Sequence, residues 1–130
     1  MSWRHLSGPE LQVSVTMGAT AGTVGEVVAA DGDTVVAVGD GELVAGVLHD
    51  ACDGDATNVK MDILVAGSIW EVTVASQTLN RGGKVAMAGA DVVETATTSE
   101  NIVGEIVNDA VATGDTKAQV LILGGAQLAL

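Results

Sequence analysis

Along most of the chain apolar and polar residues alternate in short stretches, and glycine–aspartate turns separate the stretches. Leu11, Val13, Val15 and Met17 fall on one side of an extended chain and Gln12, Ser14 and Thr16 on the other, the period-two signature of a half-buried strand. Further strands are predicted at Thr23–Ala29, Thr34–Val38, Leu43–His49, Asn58–Val65, Ser68–Val74, Lys84–Ala88, Val92–Thr95, Asn101–Val107 and Lys117–Leu123. The alternation is clearest in Val59, Met61, Ile63 and Val65, with Lys60 and Asp62 pointing the other way. Turn signals lie between the strands at Asp31-Gly-Asp33, Gly39-Asp-Gly41, Asp53-Gly-Asp55, Arg81-Gly-Gly83 and Gly114-Asp115. Many short strands with regular turns predict an all-β chain, a small β-barrel or sandwich of short antiparallel strands.

Two runs also fit a helical stripe: Leu43, Val44, Val47 and Leu48, and Ile102, Val103, Ile106 and Val107. Gly46 and Gly104 interrupt them and both runs are short, so they are read as strands. The glycines also belong to a weak internal repeat. Asp33 to Gly46 and Asp91 to Gly104 are each 13 positions apart, and similar residues follow: Gly46-Val-Leu-His-Asp-Ala51 and Gly104-Glu-Ile-Val-Asn-Asp-Ala110. A duplicated β unit that closes on itself leaves few open sheet edges. Residues 1–10 show no periodicity and read as an extended N-terminal arm in front of a single β domain, 11–130.

Composition sharpens this reading. Hydrophobic residues make up 48% of the 130-residue chain, enough for a core, yet there is no Phe, no Tyr and only two Trp. The core therefore has to be aliphatic and rich in Val, whose branched side chain suits a pleated surface. The net charge is −12, from 17 acidic against 5 basic residues. Arg4, Lys60, Arg81, Lys84 and Lys117 are too scattered to track a phosphate backbone or an anionic membrane, so neither partner is expected. Such self-repulsion weakens where salt is abundant, because the Debye length falls to about 3 Å at ~1 M. The acidic, lysine-poor composition points to a salt-rich cytoplasm. The single cysteine, Cys52, excludes an intramolecular disulfide. Residues 1–10 have no signal-peptide core, and no run approaches the ~20 apolar residues of a membrane span. Synthesis and assembly in the host cytoplasm are expected.

Candidate chemistry is sparse. His49, Asp50 and Cys52 lie close in sequence, but zinc commonly wants four ligands in paired spacings, and a cysteine nucleophile wants a base and an oxyanion site. Asp50, Asp53 and Asp55 around Gly54 resemble part of a calcium loop. Counted from Asp50, however, the twelfth position is Met61 rather than the bidentate Glu of an EF-hand. Gly22-Thr-Val-Gly-Glu-Val27, Gly32-Asp-Thr-Val35 and Leu43 resemble the first half of a biotinyl or lipoyl carrier domain, a family that swings its cofactor from one hairpin lysine. The corresponding stretch, Leu43–Cys52, contains no lysine, and Lys60 lies within an alternating strand. No phosphate loop or dinucleotide fingerprint is present. No catalytic residue, cofactor or resident metal is expected. A carrier-like or cation-binding β module without its own catalysis stands as the alternative function.

From residue 22 to residue 124 the order of features resembles the small capsid decoration, or cement, proteins of tailed phages and related viruses, those of haloarchaea among them. The motifs that carry the likeness are the glycine-flanked strand Leu43-Val-Ala-Gly-Val-Leu48 and the small-residue turn Ala51–Gly54. Strands Val59–Val65 and Ser68–Val74 and the hairpin Arg81-Gly-Gly-Lys84 follow, then the second Val-Gly strand Ile102–Ile106, Thr113-Gly-Asp115 and the closing strand Ala118–Leu123. The resemblance implies a β domain on the virion surface, a homotrimer that docks on the major capsid protein, with no catalytic residues. Trp3, Arg4, His5 and Leu6 pair a large aromatic with cations and are candidate interface residues. Leu128 and Leu130, in an apolar C-terminal segment of a chain with mean hydropathy +0.42, are candidates to be covered by a neighbour.

Overall fold

The computed structural model describes residues 3–75, 77–108 and 116–123, and in them every regular element is a strand. The strands are β1 (Arg4–Ser7), β2 (Gln12–Val15), β3 (Val27–Asp31), β4 (Thr34–Ala37), β5 (Gly46–Leu48), β6 (Val59–Asp62), β7 (Ile69–Val74), β8 (Lys84–Gly89), β9 (Val92–Thr95), β10 (Ile102–Ile106) and β11 (Lys117–Ile122). Their short lengths follow from the frequent glycines and acidic turn residues, which cut each alternating stretch after a few positions. The alternation sets the burial: Val59 and Met61 are buried, whereas Lys60 between them is exposed.

The strands form two barrels of the same design. In the first, the sheet order is β2-β6-β5-β3-β4, and a parallel bridge from Met17, just beyond β2, to Val35 on β4 closes the ring. In the second, the order is β7-β11-β10-β8-β9, and the parallel pairing of β9 with β7 at Thr73–Val92 and Val74–Val93 closes it. Each strand of the first barrel thus has a counterpart about 58 positions later: β2 with β7, β3 with β8, β4 with β9, β5 with β10 and β6 with β11.

The equivalence extends to single hydrogen bonds. Gly25 N–H donates to Leu48 O and Gly82 N–H to Ile106 O, both at 2.8 Å. Leu48 N–H donates to Glu26 O at 2.9 Å, and Ile106 N–H to Gly83 O at 3.0 Å. Glu42 and Glu100 turn back in the same way: Glu42 Oε1 accepts the Gly39 N–H at 2.6 Å and Glu100 Oε1 accepts the Thr97 N–H at 2.7 Å. The weak repeat in the sequence is therefore a duplication of the whole barrel unit. Gly25 and Gly82 sit at matching turns with φ of 79° and 82°, a region that L residues avoid.

Packing joins the two halves. Met17, Val28, Val35, Leu48, Val59 and Met61 form one apolar cluster inside the first barrel. Val27, Ala29 and Val47, which alternate with Val28 and Leu48 on the same strands, belong instead to the larger cluster with Val72, Val85, Met87, Val93 and Val120. The first three residues of β3, Val27–Ala29, are buried on both faces for this reason, one side filling its own barrel and the other facing the second, while Ala30 and Asp31 are exposed.

Several expectations need correction. Residues 23–26 form a turn rather than the start of a strand, because Glu26 N–H bonds Thr23 O and Gly25 is left-handed. The strand expected at Leu43–His49 is confined to Gly46–Leu48. The barrels are not wholly antiparallel, since both close through parallel pairs. The arm is the largest difference. Arg4–Ser7 is a strand paired with β7, with Arg4 opposite Glu71 and His5 opposite Trp70. Trp3 ahead of it is 3% exposed.

Candidate functional site

Strand β1 shares one edge of β7 with β9: β1 covers Ile69–Glu71 and β9 covers Thr73–Val74. The first anchor is Trp3, whose backbone N–H donates to Gly25 O at 3.0 Å and whose Nε1–H donates to Asp91 O at 2.9 Å. Asp91 in turn takes the N–H of fully buried Val27 on its Oδ1 at 2.7 Å, so one residue of the second barrel satisfies a donor of the first and holds the N-terminal strand. Burial pushes the Asp91 carboxyl above its ordinary value, against the lowering effect of the Val27 N–H and nearby positive charge.

Four of the six residues singled out from sequence are therefore placed. Trp3 belongs to the core, not to an exposed anchor. Arg4 is exposed and pairs with Glu71 at 3.3 Å. His5 lies edge-on to Trp70, with ring centroids 5.4 Å apart, and its Nδ1 is 2.9 Å from Glu10 Oε1. Its other nitrogen, Nε2, is buried without a hydrogen-bond partner among the described residues. Leu6 stands at the surface. Leu128 and Leu130 lie outside the described residues.

Sequence reasoning missed what β1 is brought against. A cleft of about 270 Å³ gathers both tryptophans, both histidines, Glu10 and Asp62. His49 Nδ1 lies 3.2 Å from Asp62 Oδ2 and 3.1 Å from Gln12 Nε2. The cleft offers two imidazole–carboxylate pairs and an arginine at a strand edge, groups that hold peptide and charged side chains by hydrogen bonds. The sequence carries no period-two signal for β1, since Trp3-Arg-His-Leu6 runs apolar, polar, polar, apolar.

His49 is turned to Gln12 and Asp62, while Cys52 makes a backbone bridge with Gly22 and packs against the first-barrel core. Asp50, Asp53 and Asp55 are all exposed at their turn. A different acidic group converges: oxygens of Asp40, Glu94 and Glu100 lie within 4.8 Å of one another. Hydrogen bonding to Glu100 raises Asp40. The Thr97 hydroxyl and N–H, both 2.7 Å from Glu100 Oε1, lower Glu100. Burial, then the charges of Glu100 and Asp40, raises Glu94. Asp40 lies in the connection after β4, Glu94 on β9 and Glu100 just before β10, so the group bridges the two halves. No helix among the described residues is long and apolar enough to cross a membrane. No protein-family model and no curated protein matches the chain.

Proposed function

We propose that the protein is a virion structural protein, a capsid decoration subunit that binds the major capsid protein on the outside of the capsid as a homotrimer and stabilises the lattice without chemistry of its own. The observation that supports this reading best is where the resemblance motifs fall. The two glycine-flanked strands, Leu43–Leu48 and Ile102–Ile106, contain β5 and β10, equivalent strands of two closed barrels packed on a shared core. The product is a body of short strands and tight turns, a rigid frame for docking.

Mass spectrometry of purified virions, followed by a map of the capsid, tests the proposal. The expected result is the polypeptide present in fixed ratio to the major capsid protein, with trimeric density on the outer surface. Absence from virions refutes the function, and isolated monomers at every site refute the trimer.

A further inference from the structure

The two barrels are equivalent strand for strand, but they are not equally covered. On the second barrel, β1 pairs with Ile69–Glu71 of β7. The counterparts of those residues on the first barrel are Gln12, Val13 and Ser14 of β2. The register supports this match: Val13 pairs with Met61 as Trp70 pairs with Val120, and Gln12 with Asp62 as Ile69 with Leu121. Among the described residues, β2 has β6 along one edge, and on the other the chain meets β4 only beyond the strand, where Thr16 O accepts the Val35 N–H and Gly18 N–H donates to Val35 O. No strand among the described residues pairs with the edge at Gln12–Ser14.

Beside that edge lies an open groove of about 410 Å³, between the end of β2 and the β3–β4 hairpin. Val15, Val35, Ala45 and Met61 line it, and Asp33 and Thr34 stand on its rim. The counterparts of the four apolar residues are Val72, Val93, Val103 and Val120. All four are buried in the cluster that includes Trp3. On the first barrel, Val15 and Ala45 remain half-buried. The place sealed on one barrel by an added strand and its tryptophan is open on the other.

We infer that the β2 edge at Gln12–Ser14, with the groove beside it, is an acceptor site for an extended segment of another polypeptide, one that carries a bulky apolar residue next to a cation. The chemistry of the occupant is that of the segment filling the equivalent place, Trp3-Arg-His-Leu-Ser7: backbone pairing along the strand edge and one aromatic side chain buried in the core, its Nε1–H on the carbonyl of Asp91, the counterpart of Asp33. The exposed carboxylate of Asp33 on the rim, in a chain of net charge −12, adds the preference for a cation. A second copy of the chain is a poor donor. Its own β1 is already paired with β7, and its Trp3 would have to leave the core.

The test uses the full-length chain and a synthetic peptide, Ser-Trp-Arg-His-Leu-Ser-Gly, followed by backbone amide NMR and by titration of a labelled peptide. The expected result is saturable binding of one peptide per chain, with shifts confined to Gln12–Thr16 and Thr34–Val35. Replacing the peptide tryptophan by alanine, or the chain variants Ala45→Leu and Thr34→Arg, should each weaken binding about ten-fold or more. Ala45→Leu fills the groove where the counterpart is already Val103, and Thr34→Arg acts at the rim, so either variant suffices if the other fails to fold. No binding up to ~1 mM peptide overturns the inference. So do shifts at Ile69–Glu71 with release of Trp3, which would mean the peptide only displaces β1. Self-association of the chain that Ala45→Leu and Thr34→Arg abolish would make the occupant a second copy and overturn the assignment to another polypeptide. None of these outcomes depends on whether the protein is found in virions.

Discussion

Gly46 and Gly104 stand 58 positions apart on β5 and β10, and each lies against the backbone of the strand that follows it. A Cβ at Gly46 would come within 2.5 Å of Asp62 O on β6, and one at Gly104 would meet Leu121 O on β11. The same close approach has been kept in both barrels, because neither neighbouring strand can move without opening its ring.

Gly46→Ala and Gly104→Ala should therefore each destabilise the fold by about 1–3 kcal/mol or more, since the clash is with backbone. Gly89→Ala, with nothing within 4 Å of the new methyl, should stay within about 0.5 kcal/mol of the parent. Denaturant melts of the three variants check this, and a neutral Gly104→Ala would contradict the duplicated packing.

Trp3→Ala should cost about 3–5 kcal/mol, the range for removing a buried aromatic. Trp3→Phe should recover most of that and lose only the bond to Asp91 O, about 1 kcal/mol. If Trp3→Ala melts like the parent, the N-terminal strand is not seated on β7 in solution.

Asp91 separates charge from hydrogen bonding. Its folded-state pKa is raised, chiefly by burial, so its contribution to stability is fully present below the ordinary value of 3.8 and is lost as pH rises through the folded value. Asp91→Asn keeps an acceptor for the Val27 N–H and tolerates φ of 60°, and should match or exceed the parent in stability at neutral pH. Asp91→Ala leaves that buried N–H unpaired and should cost about 1–3 kcal/mol. Melting temperatures across pH 3–7 distinguish the two, and equal losses for both variants would refute the assignment.

Thermal stability should rise steeply from dilute to ~1 M salt, where the Debye length is about 3 Å. Glu94→Gln should raise the melting temperature in dilute salt, because burial and the charges of Glu100 and Asp40 all disfavour the Glu94 carboxylate. The gain should shrink at molar salt. Glu100→Ala should lower the melting temperature at neutral pH, since the Glu100 carboxylate holds Thr97. A melting temperature indifferent to salt would remove the case for a salt-rich cytoplasm and leave the fold untouched.

Sequence by itself determined the all-β class, nine of the strand positions to within a few residues, and the duplicated unit, legible in Asp33 to Gly46 and Asp91 to Gly104. Alternation and turn chemistry are local properties: a side chain two positions on shares a face whatever lies across the sheet. What a strand pairs with is not local. The parallel closures at Met17–Val35 and Thr73–Val92, the seating of Trp3 on the second barrel, and the convergence of Asp40, Glu94 and Glu100 all join residues far apart in the chain. That residues 4–7 of the extended N-terminal segment form a strand is not legible in the sequence, because four residues carry too little periodicity and their strand character comes from the edge of β7 that they cover. Only the tertiary structure decided which of two equivalent edges the N-terminal strand fills, because one strand can satisfy the backbone and bury its tryptophan at one place only.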